Sequence, residues 1–210
     1  MIWPFKNFDM RRLWLVLLLF LLAGPAFAAT RTVLVVGDSL SAAFGMELRE
    51  GWVALLAARL DQQQPRYRVV NGSVSGDTTA NGLARLPRLL SEHHPAIVII
   101  ELGGNDGLRG LAPQQMKNNI GAMIAKSKAQ GAKVLLLGVE LPPNYGPKYN
   151  ERFRRVYRDL AAEQQVPLVP SVMDGVGTDI KLMQADRIHP NAAAQAQMLD
   201  NVWPALRALL

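Results

Sequence analysis

The sequence predicts an α/β fold in which one parallel sheet carries helices on both faces. Three observations predict it. Five short runs of β-branched and aliphatic residues recur along the chain, and they are continuous rather than alternating, as in strands buried on both sides. Segments with helical apolar spacing lie between them, and strand–helix alternation implies parallel strands joined by crossover helices. The chain has 210 residues, half of them hydrophobic and 19% charged. That fits one domain with a full core and excludes a disordered chain.

The strand runs are residues 32–36 before Gly37, 67–70 before Asn71-Gly72, 97–102 before Gly103-Gly104, 134–137 before Gly138, and the shorter 166–169. The first helical stripe is Trp52, Leu55, Leu56 and Leu60. Leu83, Leu86 and Leu90 form the second, with Pro87 expected to kink it. Met116, Ile120, Met123 and Ile124 form the third, and Phe153, Val156, Tyr157, Leu160 and Ala161 the fourth. A last helix is expected after Asn191, a good N-cap residue, with a disturbance at Pro204. Core packing explains each stripe. The chain shows no internal repeat, low-complexity tract or linker.

The N-terminus reads as an address. Lys6, Arg11 and Arg12 precede the apolar run 13–23, Gly24-Pro25 breaks it, and Ala26-Phe27-Ala28 follows. This is the pattern of a signal peptide over residues 1–28, cleaved after Ala28, with residues 29–210 as a single exported domain. The run is short of the roughly 20 residues that cross a bilayer. The competing reading is an uncleaved anchor, since residues 13–29 carry no charge. Periplasmic export is expected, with full secretion as the alternative. After removal, no membrane anchor, nucleic-acid partner or obligate protein partner is expected. Net charge falls from +6 to +4 over 182 residues, with no dense basic run and interleaved aromatics. The chain has no cysteine, which excludes a disulfide scaffold, a Cys-ligated zinc site and a thiol nucleophile.

Several chemistries are missing. There is no G-x-x-x-x-G-K-[ST], no G-x-G-x-x-G after the first run, no H-E-x-x-H and no G-x-S-x-G elbow. In a parallel sheet, sites form at the carboxyl ends of the strands. Ser39 falls in such a turn, two residues after Gly37, which ends the first run. A serine nucleophile needs a base. His93 and His94 end a helical stripe, where a solvated positive end explains them. His189 lies in Asp186-Arg187-Ile188-His189-Pro190, and Asp186 could accept from its Nδ1 and leave Nε2 for a serine. A developing oxyanion needs donors: Gly76 offers a backbone N–H and Asn105 a side-chain amide. Turn geometry alone would explain either residue.

Four blocks therefore stand in order: Gly37-Asp38-Ser39-Leu40-Ser41, Ser75-Gly76-Asp77, Gly103-Gly104-Asn105-Asp106 and Asp186-Arg187-Ile188-His189-Pro190. They resemble the SGNH hydrolases, or GDSL esterases/lipases. Residues 101–110 and 141–146 look like the bacterial thioesterase I/lysophospholipase/arylesterase (TesA-type) branch of that family. The resemblance implies a flavodoxin-like three-layer α/β/α sandwich with five parallel strands in order 2-1-3-4-5. It implies Ser39 as nucleophile, His189 as base and Asp186 as its orienting acid. The oxyanion hole would be the N–H groups of Ser39 and Gly76 and the Asn105 amide. Loop 106–111 is implied to move on acyl binding. No metal or other cofactor is implied. Substrates of relatives include aryl esters, lysophospholipids and acyl thioesters. Glu140 departs from the Arg common in relatives. An apolar groove from Leu40, Leu108, Leu111, Pro143 and Tyr145 would suit an acyl chain, although loop packing would also explain these residues. Three rival readings stand beside this one: a carbohydrate acetylesterase on the same fold, a non-catalytic exported binding module, and a metal-dependent hydrolase using Asp38, Asp106, Asp186 and His189.

Overall fold

In the computed structural model, residues 30–63 and 66–210 are described. The expected leader, residues 1–28, lies outside them. Five parallel strands form one sheet: β1 (Arg31–Gly37), β2 (Tyr67–Asn71), β3 (Ile97–Glu101), β4 (Lys133–Leu137) and β5 (Leu168–Val169), in order β2-β1-β3-β4-β5. Helices α1 (Trp52–Asp61), α2 (Thr79–His93), α3 (Gly104–Leu108), α4 (Pro113–Ala129), α5 (Pro147–Gln164) and α6 (Gln195–Arg207) cover it. The expected strand order and three layers are the observed ones.

Each continuous run divides by the twofold period of a strand. Val33 and Val35 of β1, Ile99 of β3 and Leu135 and Leu137 of β4 face one core, with Trp52, Leu56 and Leu60 of α1 and Met198, Leu199 and Val202 of α6. Leu34, Val36, Val98, Ile100 and Leu136 face the other, against Leu86 and Leu90 of α2, Met116, Ile120 and Met123 of α4 and Phe153, Tyr157 and Leu160 of α5. The helical stripes are those core faces. Neither layer leaves a sheet face open, so the strands had no reason to alternate in polarity.

Local differences from the sequence reading have physical causes. Only Leu168–Val169 of the 166–169 run is strand, at the sheet edge beside Pro167 and Pro170, which have no N–H to donate to a ladder. Pro87 and Pro204 are exposed inside helices that continue through them to His93 and Arg207, because the flanking apolar residues keep both helices seated. Asn191 caps a 3₁₀ turn over Ala192–Ala194, its side chain accepting from Ala193 N–H, and that turn runs into α6. Residues 106–108 of the expected loop 106–111 belong instead to a short helix, Gly104–Leu108. It starts at Gly103, whose φ of 127° is glycine's territory and where a Cβ would collide with the Tyr157 hydroxyl.

Candidate active site

All four motif blocks arrive at the carboxyl edge of the sheet, because each follows a strand or, for the fourth, precedes the last helix. β1 ends at Gly37, and the next turn is closed by the Ala42 N–H donating to Asp38 O and the Phe44 N–H donating to Ser39 O. Ser39 thus sits half-buried on a rigid turn at the sheet rim. His189 comes from 150 residues away, and its Nε2 lies 2.9 Å from Ser39 Oγ. Its Nδ1 lies 2.6 Å from Asp186 Oδ2. Asp186 Oδ1 accepts two backbone N–H groups, those of Ile188 and His189, each at 3.0 Å. Partial burial works against the Asp186 charge, but the His189 ring and those two N–H groups outweigh it, lowering its pKa to about 2. The carboxylate is therefore ionised at neutral pH, so the ring proton belongs on Nδ1 and Nε2 is free to accept from the serine hydroxyl.

Asn105 lies in the first turn of α3. Its amide donates to Asp38 Oδ2 at 3.2 Å and to Asp77 O at 3.0 Å. Both N–H groups are engaged, and the second bond brings the Asp77–Thr78 peptide, one residue on from Gly76, beside Asn105. Gly76 has φ 83° and lies in the exposed turn after β2, its carbonyl accepting from Arg109 at 3.1 Å. Among the described residues, neither the Ser39 nor the Gly76 N–H donates to a protein group.

A cleft of about 530 Å³ opens at Ser39, Asn105 and His189. Of the five groove residues expected, Leu40, Leu108 and Pro143 line it. Leu111 and Tyr145 do not. Leu111 is 36% exposed outside the cleft, its carbonyl accepting from Tyr149. Tyr145 braces the wall from behind by donating to Leu108 O at 2.8 Å. The opposite wall was missed: Met173, Gly177, Thr178, Met183 and Ile188 come from the irregular segment after β5, which carries no periodic signal. Glu140 is exposed and lines the cleft, with Asp174 and Arg187.

Behind the serine turn sits a second group that sequence reasoning missed. Glu101 is fully buried, its Oε2 accepting from Ser41 Oγ at 2.7 Å and its Oε1 without a partner. Burial, and then the nearby Asp38, push its carboxyl well above the usual range. The signal was an acid closing the apolar run 97–100. Among the described residues, no group of three or more His, Asp or Glu side chains has the geometry to hold a metal ion. Asp106 is committed to the Thr79 N–H and hydroxyl.

A doubly wound sheet that brings a hydroxyl, an imidazole and a carboxylate into one chain of short contacts beside an apolar cleft defines a serine hydrolase by class. The GDSL-like Lipase/Acylhydrolase family model matches residues 35–197. The chain belongs to that family, in its TesA/thioesterase I/arylesterase branch. It is 60% identical over 183 residues to esterase TesA of Pseudomonas aeruginosa, covering 87% of this chain and 91% of that one. It is 46% identical over 183 residues to thioesterase 1/protease 1/lysophospholipase L1 of Escherichia coli K12, covering 87% and 86%. The crystal structure of esterase EstA from Pseudoalteromonas sp., inhibited by monoethylphosphonate, superposes with a TM-score of 0.81 at 38% identity, covering 85% and 97%.

Proposed function

We propose that the protein is an exported serine esterase that cleaves carboxylic ester and thioester bonds of acyl substrates, with lysophospholipids and small aryl esters as its natural class. The reading rests on the chained contacts of 2.9 and 2.6 Å through His189. Ser39 Oγ attacks the acyl carbonyl as its proton passes to His189 Nε2, and the Asp186 carboxylate offsets the charge formed on the ring. The N–H groups of Ser39 and Gly76 and one N–H of Asn105 hold the oxyanion, Asn105 turning it away from Asp77 O to do so. The imidazolium then gives its proton to the departing alcohol or thiol. Water deacylates the serine by the same path. The names of the relatives, an esterase and a thioesterase/lysophospholipase, support the substrate class. Phosphonate inhibition of the Pseudoalteromonas enzyme supports the covalent route.

Apolar lining on both walls (Leu108, Val139, Leu141, Met173, Met183) favours an acyl chain over the acetyl group of a carbohydrate ester. The six large apolar residues that are exposed among those described, Phe44, Leu48, Val74, Leu111, Ile180 and Ile188, all lie in connections that leave the carboxyl ends of strands, Leu48 and Ile180 in short 3₁₀ turns, which suits an amphiphilic substrate. Periplasmic location rests on the basic, apolar and A-x-A pattern of residues 1–28. There acyl-CoA is not the expected thioester.

One experiment tests the reading: p-nitrophenyl esters from acetate to laurate, and a lysophospholipid, assayed with wild type, Ser39→Ala and Asn105→Ala. Ser39→Ala should lose turnover and covalent labelling by an organophosphonate. Asn105→Ala should lose roughly 10²–10³ in kcat. Esterase activity surviving in Ser39→Ala overturns the mechanism, and activity confined to acetates shifts the reading to the carbohydrate esterase.

A further inference from the structure

Ser39 and His189 arrive on segments 150 residues apart. One hydrogen bond between two mobile side chains does not hold two loops in register, so something else must set that distance. Gln184 is placed to do it. Its Nε2 donates to Phe44 O at 2.7 Å, in the turn that carries Ser39, and to Pro190 O at 2.9 Å, in the loop that carries His189. Both amide hydrogens are spent on carbonyls of the two segments.

The backbone of Gln184 closes the second segment on itself. Its N–H donates to His189 O at 2.8 Å, and its carbonyl accepts from Arg187 N–H at 3.0 Å. The short loop bearing Asp186 and His189 is thus pinned at both sides of the same residue. On the opposite segment, Gly45 has φ 74°, and a Cβ there would occupy the space of the Gln184 amide. The turn is shaped to admit this side chain. Phe44, whose carbonyl takes the bond, lays its ring over the His189 imidazole, with centroids 4.4 Å apart and planes at 39°. Phe44 is 45% exposed, so core burial does not account for its place.

We infer that Gln184 is a positioning residue that sets the Ser39–His189 contact, acting through the carbonyl and ring of Phe44. The amide fixes how close the serine turn comes to the histidine loop. The aromatic ring covers one face of the imidazole and restrains its rotation about the line from Asp186 to Ser39. Gln184 and Phe44 both lie outside the lining of the cleft that would hold the acyl chain. Their effect therefore falls on the chemical step and not on ground-state binding. The inference rests on the Ser39–His189–Asp186 reading above.

The test compares wild type, Gln184→Met, Phe44→Leu, the double variant and Ser39→Ala on one p-nitrophenyl ester. Methionine keeps the length of the side chain and removes both donors. Gln184→Met should lower kcat roughly 10- to 100-fold. KM should stay within about twofold, and the rate of organophosphonate labelling should fall in step with kcat. Phe44→Leu, an exposed change that leaves the core intact, should show a smaller fall of the same kind. The double variant should be no slower than Gln184→Met, because the two residues act as one unit. A Gln184→Met kcat within about twofold of wild type, a loss carried by KM, or additive losses in the double variant overturns the inference. Ser39→Ala separates the two levels: if it retains turnover the triad reading fails, and if it is dead while Gln184→Met matches wild type only the clamp fails.

Discussion

Asp38 occupies a place where a carboxylate charge is costly. It is 2% exposed, with the equally buried Glu101 nearby. Burial lifts its pKa to about 6, against the lowering pull of the Leu40 N–H and the Asn105 amide. A raised folded-state value means that the folded protein holds this proton more tightly than the unfolded chain does. The stabilisation is complete below about pH 4 and is lost as pH rises through about 6. Asp38→Asn removes the titration. Urea unfolding at pH 4, 5, 6 and 7 should show wild type losing on the order of 2 kcal/mol relative to Asp38→Asn over that window. A pH-independent difference would assign the titration elsewhere. Asp186 behaves in the opposite sense: it is exposed, multiply hydrogen-bonded, and charged until pH falls to about 2. Ser39, Asp186 and His189 stood out as candidates because each is a reactive residue type in a turn, where packing gives no reason for it. Glu101 was not legible, since a residue ending an apolar run can point to water or inward, and only neighbouring strands decide which.

Helix α3 shows what an element adds to a residue. Read as a loop, it is one turn of helix that aims Asn105 across the sheet edge. Its anchor is the next residue. Asp106 is 2% exposed and accepts from Thr79 N–H at 2.8 Å and Thr79 Oγ1 at 2.5 Å, at the start of α2. Asn119 of α4 completes the group by donating to Thr79 Oγ1 at 3.0 Å. A carboxylate at a helix start is favoured by the orphan N–H groups and the dipole there. It also ties Asn105 to the helix that follows the Gly76 turn. Asp106→Ala should cost roughly 2–3 kcal/mol in chemical denaturation. It should also lower kcat toward that of Asn105→Ala, because the proposed oxyanion donors lose their common support. Full activity in folded Asp106→Ala would show that α3 is held by its own packing. The sequence could not announce this helix: five residues with two glycines carry no periodicity, and the helix exists because Asp106 has a buried partner.

At the scale of the molecule, the two cores and the site are separable. Leu56 is fully buried on α1 in the core shared with α6, and it does not line the cleft. Leu56→Ala should cost roughly 2–5 kcal/mol of stability. The surviving folded fraction should keep the wild-type kcat, measured well below the lowered melting temperature. A fall in kcat alongside stability would mean that the sheet edge depends on that core more than the packing indicates. The order of strands and helices was readable from the chain alone, and so was the choice of Ser39, Gly76, Asn105, Asp186 and His189 as candidates, since apolar period and reactive turn residues are local properties. Three matters belonged to the tertiary structure. One is that both Asn105 N–H groups are already engaged. Another is the far cleft wall of Met173, Met183 and Ile188. The last is the Gln184 bridge from the histidine loop to the serine turn. Each depends on the distance between segments remote in the chain, and such distances arise only when packing fixes every element at once.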